Sequence, residues 1–153
     1  DDVDVLFMSA PMHDIGKVAI PDRVLLKPGK LDADEWEIMK THAEIGQHIF
    51  SKSHRPVLQA AAIVAGQHHE KFDGSGYPNG LKGEDIHIYG RIVALVDVFD
   101  ALIHKRCYKE AWPLDKVIAE LKTQEGKHFD PKLLNLFIDN MKAVMTIVEA
   151  YPD

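Results

Sequence analysis

The sequence holds one cysteine, Cys107, in 153 residues. That count excludes an intramolecular disulfide framework, fits a reducing, cytoplasmic setting, and leaves any metal to oxygen and nitrogen donors. Basic residues are also in deficit: 18 Lys and Arg stand against 24 Asp and Glu, a formal charge of −6. A chain so charged lacks the footprint for gripping duplex nucleic acid, so any phosphate must be held by a few focused cations or by metals. Apolar runs are too short to span a membrane. The start, Asp1-Asp2-Val3-Asp4, lacks the basic and apolar regions of a signal peptide, and with no initiator Met it reads as an excised piece. No internal repeat or low-complexity tract appears. What is present is 46% hydrophobic residues, enough for one sizeable core, and nine histidines. A single domain over residues 1–153 is expected.

The apolar periodicity is helical, with segments separated by short Pro, Gly and Asp clusters, which predicts an all-α, compact multi-helix bundle. A first helix is expected over about residues 2 to 13, its last turn distorted by Pro11. Asp32, with Glu35 three residues on, predicts a capped helix whose buried stripe comprises Trp36, Met39, Ile45 and Ile49, with His42 on the same face. Pro56 opens a third helix, in which a run of small apolar residues, 60 to 65, precedes His68 and His69. Residues 73 to 80 hold too many turn formers for regular structure and predict an ordered surface loop beside that pair. From about residue 88 to 104 a core helix presents Ile92, Leu95, Val96, Phe99 and Leu102, with Asp97 and Asp100 embedded among them. Pro113 starts a shorter helix, and Asp130-Pro131 caps a last one with Leu134, Phe137, Ile138, Met141 and Met145 turned inward.

The chemistry-bearing residues His13, Asp14, His42, His68, His69 and Asp97 fall at the ends or on the buried stripes of four segments. Taken singly, each has an ordinary explanation: a hydrogen-bonded His-Asp pair, a core histidine, a solvated helix end, a salt-bridged acid. In combination, buried carboxylates and neutral imidazoles need partners, and divalent cations satisfy both. Oxygen and nitrogen donors suit iron, manganese, zinc or another divalent metal. Two ions about 3.5–4 Å apart can share a hydroxide and clamp the attacking and leaving oxygens at phosphorus, so phosphoester hydrolysis is the matching reaction. Asp100 reads equally as a ligand and as a capping or salt-bridged acid. No spacing ties His48, His54, His87, His104 or His128 to the others, and solvated positions are expected for them.

The ordered motifs His13-Asp14-Ile15-Gly16-Lys17, Lys40-Thr41-His42 with Gly46, His68-His69-Glu70 with Asp73-Gly74-Ser75-Gly76-Tyr77-Pro78, Asp97-Val98-Phe99-Asp100, Arg106 with Tyr108-Lys109, and His128-Phe129-Asp130-Pro131 resemble the HD-GYP subgroup of the HD phosphohydrolase superfamily. The resemblance covers nearly the whole chain. It implies an all-helical domain that hydrolyses cyclic di-GMP to pGpG or onward to GMP. The implied centre holds two or three ions, often iron or manganese, on His13, Asp14, His42, His68, His69 and Asp97, with Asp14 bridging. Asp14 and Lys17 would be catalytic, Lys17 as a phosphate contact, while Tyr77, Arg106 and Lys109 would bind substrate.

The resemblance also implies an earlier helix, before residue 1, carrying a further His ligand and in three-metal members a Glu. Ile103 and Cys107 depart from the family's usual Thr and Pro. By analogy the domain follows a receiver or sensor module in cis, and a GGDEF-domain diguanylate cyclase is a possible partner. Two other readings stand beside this one: a module that binds the dinucleotide or the cyclase without turnover, and a hydrolase of another nucleotide phosphoester.

Overall fold

The computed structural model of the chain describes residues 1–104 and 110–152. Eight α-helices follow one another among them: α1 (Asp2–Ser9), α2 (Asp22–Leu25), α3 (Ala33–Phe50), α4 (Pro56–Gln67), α5 (Ile88–Ile103), α6 (Leu114–Thr123), α7 (Pro131–Asp139) and α8 (Met141–Ala150). The described residues contain no β-strand, only an isolated bridge between Glu125 and Phe129. The architecture is the all-α bundle that the periodicity predicts. No helix of the described residues is long and apolar enough to cross a membrane.

Local chemistry sets the helix ends. Asp32 accepts from the Glu35 amide at 2.9 Å while the Glu35 carboxylate accepts from the Asp32 amide at 2.9 Å, a reciprocal cap on α3. Pro56 and Pro131 occupy first-turn positions, where a missing N–H costs nothing, and the Asp130 side chain accepts from the Lys132 amide. After α1 the chain tightens into a 3-10 turn, Ala10–Met12, where Pro11 removes a donor.

Two packing regimes result. The helix α3 lies on α4 and on the 3-10 segment Ile15–Ala19, and α1 packs on α4. Small residues line these contacts: Ala43, Ala60, Ala61 and Ala65 are buried, as are Gly46 and Gly66. Large side chains fill the other end, where Leu95, Phe99 and Leu102 of α5 meet Val117 and Leu121 of α6, Phe129, Leu134 of α7 and Met141 of α8. A partly buried ion pair ties α5 to the start of α7, with Arg91 donating to Asp130 at 2.6 Å.

Several sequence expectations need correction. Trp36 and Ile49 are 44% and 49% exposed, so the buried stripe of α3 is His42, Ala43 and Gly46 instead. Close approach of α4 and the 3-10 segment leaves room for small residues and one imidazole, and the large ones are displaced outward. Val96 is likewise exposed on α5. The last expected helix is two, α7 and α8, with Asn140 departing from helical geometry between them. His104 and His128 are half-buried rather than solvated.

Candidate metal centre

The 3-10 turn after α1 delivers His13, and Asp14 opens the next 3-10 segment. His42 comes from the middle of α3, His68 and His69 from the end of α4, and Asp97 from the middle of α5. Asp14 lies at the focus. Its Oδ1 is 3.3 Å from His42 Nε2 and 3.5 Å from His68 Nε2. Its Oδ2 is 3.4 Å from His13 Nε2 and 2.9 Å from Lys17 Nζ. His13 Nε2 is also 3.5 Å from Asp97 Oδ1. Ligand-type atoms of Asp14, His42, His68 and His69 all lie within 4.8 Å of one another, a group able to hold a metal ion. All six residues singled out as ligands from the sequence are thus neighbours.

Gly16 permits this convergence. A Cβ there would fall 1.8 Å from the His42 carbonyl oxygen and 2.7 Å from the Gly46 nitrogen, so only glycine lets the Asp14 segment lie against α3.

The ring orientations are fixed by backbone carbonyls. His13 Nδ1 lies 2.8 Å from Ala10 O, His42 Nδ1 lies 2.6 Å from Met39 O, and His68 Nδ1 lies 2.9 Å from Val64 O and 3.1 Å from Ala65 O. A carbonyl only accepts, so each Nδ1 carries the proton and, in the neutral ring, each Nε2 presents a lone pair to the centre. Those three Nε2 atoms are buried and make no hydrogen bond. A lone pair facing a carboxylate oxygen is repulsive. Three added protons would relieve it only by massing three imidazolium charges, whereas a divalent cation accepts the nitrogens and the carboxylate together. The donor set therefore fits a metal centre.

The titration of the cluster follows its charge pairing. Burial opposes ionisation of Asp14, but the imidazoles of His42 and His68, when protonated and donating to it, and the Lys17 ammonium outweigh it and hold the carboxyl far below its usual range. At Asp97 burial is likewise outweighed, here by His13, and the carboxyl is lowered. His13 is raised, the Asp97 contact overcoming burial. Burial, with His68 and His42 alongside, pushes His69 down to about 3, leaving the neutral imidazole that a metal requires.

Tyr77 stacks on His69, with ring centroids 4.8 Å apart and an 18° interplanar angle, and meets the edge of Trp36 at 6.0 Å. Burial and then the charges of Asp14 and Asp97 raise its phenol, so the hydroxyl stays a donor. Arg106 and Lys109 lie outside the described residues. Asp100 is 2.9 Å from His104, consistent with the salt-bridged alternative. Sequence reasoning passed over Glu70, which is 1% exposed. Its only signal was an acid directly after the histidine pair.

The sequence model of the HD-domain family matches residues 2–133. The chain belongs to that family, and its motifs make it an HD domain of the HD-GYP type. Among curated proteins it is similar to 3'3'-cGAMP-specific phosphodiesterase 2 of Vibrio cholerae, 50% identical over 99% of this chain and 29% of the relative. The cyclic di-GMP phosphodiesterase response regulator RpfG of Xanthomonas campestris is 51% identical over 90% of this chain and 36% of its own. A cyclic di-GMP phosphodiesterase of Thermotoga maritima is 46% identical over 95% and 39%. The chain thus spans between 29% and 39% of the length of these relatives.

Proposed function

We propose that this chain is a metal-dependent phosphodiesterase that hydrolyses cyclic di-GMP to pGpG, GMP or both. The observation that carries the reading is the set of three buried Nε2 atoms, on His13, His42 and His68, turned without hydrogen-bond partners toward the Asp14 carboxylate. His13, Asp14, His42, His68, His69 and Asp97 would hold two or three divalent ions, iron or manganese, with Asp14 bridging. When bound, such ions supply Lewis acidity toward water and the phosphoryl oxygens. Asp14, the carboxylate at the focus of the cluster, would hold those ions together with the three imidazoles. Lys17, its ammonium already beside Asp14, disperses charge developing on a phosphoryl oxygen. Tyr77 presents a ring to a guanine base and a protonated hydroxyl to a phosphate. Arg106 and Lys109 hold the second phosphate.

A second substrate has a specific observation in its favour. Two relatives of nearly equal identity, 50% and 51%, are named for 3'3'-cGAMP and for cyclic di-GMP. The two dinucleotides share both phosphodiesters and differ in one base, so the same centre serves either. In the cell the domain would be the cytoplasmic output of a longer signalling protein, governed by a receiver or sensor module in cis and able to meet a GGDEF-domain cyclase. The Xanthomonas relative, named as a response regulator, supports that arrangement.

The test is turnover of cyclic di-GMP and of 3'3'-cGAMP by anaerobically purified, iron- or manganese-loaded protein, with metal counted. Hydrolysis of cyclic di-GMP is expected, and Asp14→Ala should lower it by on the order of 10³-fold and release metal. Saturable dinucleotide binding with no product from fully loaded protein would replace the enzyme with a binding module.

A further inference from the structure

Glu70 follows two expected metal ligands, yet its carboxylate belongs to a different structure. The Asn79 amide donates to Glu70 Oε1 at 2.7 Å, and the Leu81 amide donates to Oε2 at 3.0 Å. Both oxygens accept, a pattern that a carboxylate provides and a carboxamide cannot. A fully buried acid is costly unless such bonds compensate it, so the loop amides account for its presence.

The same loop is drawn onto the centre just ahead of those anchors. The Tyr77 amide donates to the His69 carbonyl at 3.2 Å. A Cβ on Gly76 would lie 2.4 Å from that carbonyl oxygen and 2.4 Å from the Lys71 nitrogen, so the loop rests directly on the backbone around Glu70. The Tyr77 ring is thereby stacked on His69. On the far side, Phe72 and Asp73 donate to the carbonyls of His128 and Lys127.

We propose that Glu70 is the positioning residue that seats the loop of residues 73–81 over the metal centre and so sets where Tyr77 meets the substrate. The proposal rests on the reading of Tyr77 as a substrate contact. Both Glu70 oxygens are taken by loop amides, and the residue stands outside the group of ligand-type atoms around Asp14. It joins the backbone that carries His68 and His69 to the loop that carries Tyr77, so loss of the joint affects recognition ahead of chemistry.

The experiment compares wild type, Glu70→Gln, Tyr77→Ala and the double variant in the metal-loaded chain. Glu70→Gln turns an amide N–H₂ toward a backbone donor, and KM for cyclic di-GMP should rise about tenfold with kcat within about threefold and metal content retained. In the Tyr77→Ala background the same change should move KM by only about twofold, since both act through one contact. Amide exchange of Asn79 and Leu81 should quicken at least about tenfold in Glu70→Gln, with α4 unaffected.

Unchanged exchange and unchanged KM in a folded variant would overturn the proposal, as would loss of metal, which would assign Glu70 to supporting the ligands. If wild type turns over neither dinucleotide while exchange shifts as expected, the phosphodiesterase reading falls and the loop anchor stands. Should Glu70→Gln fail to fold, wild-type exchange decides: Asn79 and Leu81 amides protected like those of α4 support the anchor, and rates of an open loop overturn it.

Discussion

The two ends of this bundle are built on opposite principles. Around α3 and α4 the interior is mostly alanine and glycine, with Val64 the one larger apolar residue buried on those two helices, and the buried polar residues Ser9, His42, His68 and Glu70 sit among them. Around α6, α7 and α8 it is made of leucine, valine, phenylalanine and methionine. Small residues gain little from burial but let backbones approach, and close backbones place ligand atoms to within fractions of an ångström. Large aliphatics gain about 1.5–3 kcal/mol each when buried and tolerate some imprecision. The first end is shaped for chemistry, and the second supplies the stability to hold it.

If that division is right, damage at the two ends should be separable. Leu134, fully buried on α7, is the clearest probe of the apolar end, and Leu134→Ala should cost about 3 kcal/mol in urea unfolding. The metal content of the remaining folded protein should be unchanged. Metal lost in proportion beyond unfolding would break the comparison. The converse probe is Gly16→Ala, which must push the Asp14 segment off α3 and should weaken metal affinity by about 10- to 100-fold in a competition titration.

His128 sharpens the comparison, because it is a titrating group half-buried at the apolar end, stacked on Phe129. Burial, assisted by Lys71, lowers it to about 4. Its folded pKa lies below the ordinary histidine value of about 6.5, so the unfolded chain binds more protons between those limits. Stability is therefore lost as pH falls through that window and levels off below about pH 4. In chelator-treated protein, His128→Gln should lose on the order of 2 kcal/mol less than wild type between pH 7 and pH 4. Equal slopes would show that the acid sensitivity belongs to the imidazoles of the other end. The smallest effect is expected at the α3 cap, where Asp32→Ala should cost about 1 kcal/mol in thermal or urea unfolding with the metal centre intact.

Legibility in the sequence followed the same divide. Caps and breakers act locally, so Asp32 with Glu35, Pro56 and Asp130-Pro131 marked helix starts that the fold keeps. The ligand-type residues were legible as a motif order, and their meeting depends on Gly16, whose role is invisible until α3 lies against it. Which face of a helix is buried was less legible. Trp36, Ile49 and Val96 fit an apolar stripe by spacing, yet all three stand exposed, and Val96 lines an open apolar cavity that no helix of the described residues fills. The break at Asn140 carries no Gly or Pro and is set by how α7 and α8 dock. Glu70 was legible as part of a motif but its role was not, for a related reason: its partners are main-chain amides nine and eleven residues away, which have no sequence signature.

The backbone-tethered imidazoles have a mechanical consequence. His13, His42 and His68 are each bonded to a carbonyl three or four residues earlier, within their own turn or helix. No flexible side chain stands between ring and main chain to absorb a displacement. A slide or rotation of α3 or α4 as a rigid body therefore carries its imidazole along undiminished, and the spacing of the donors becomes a direct gauge of how the helices are stacked.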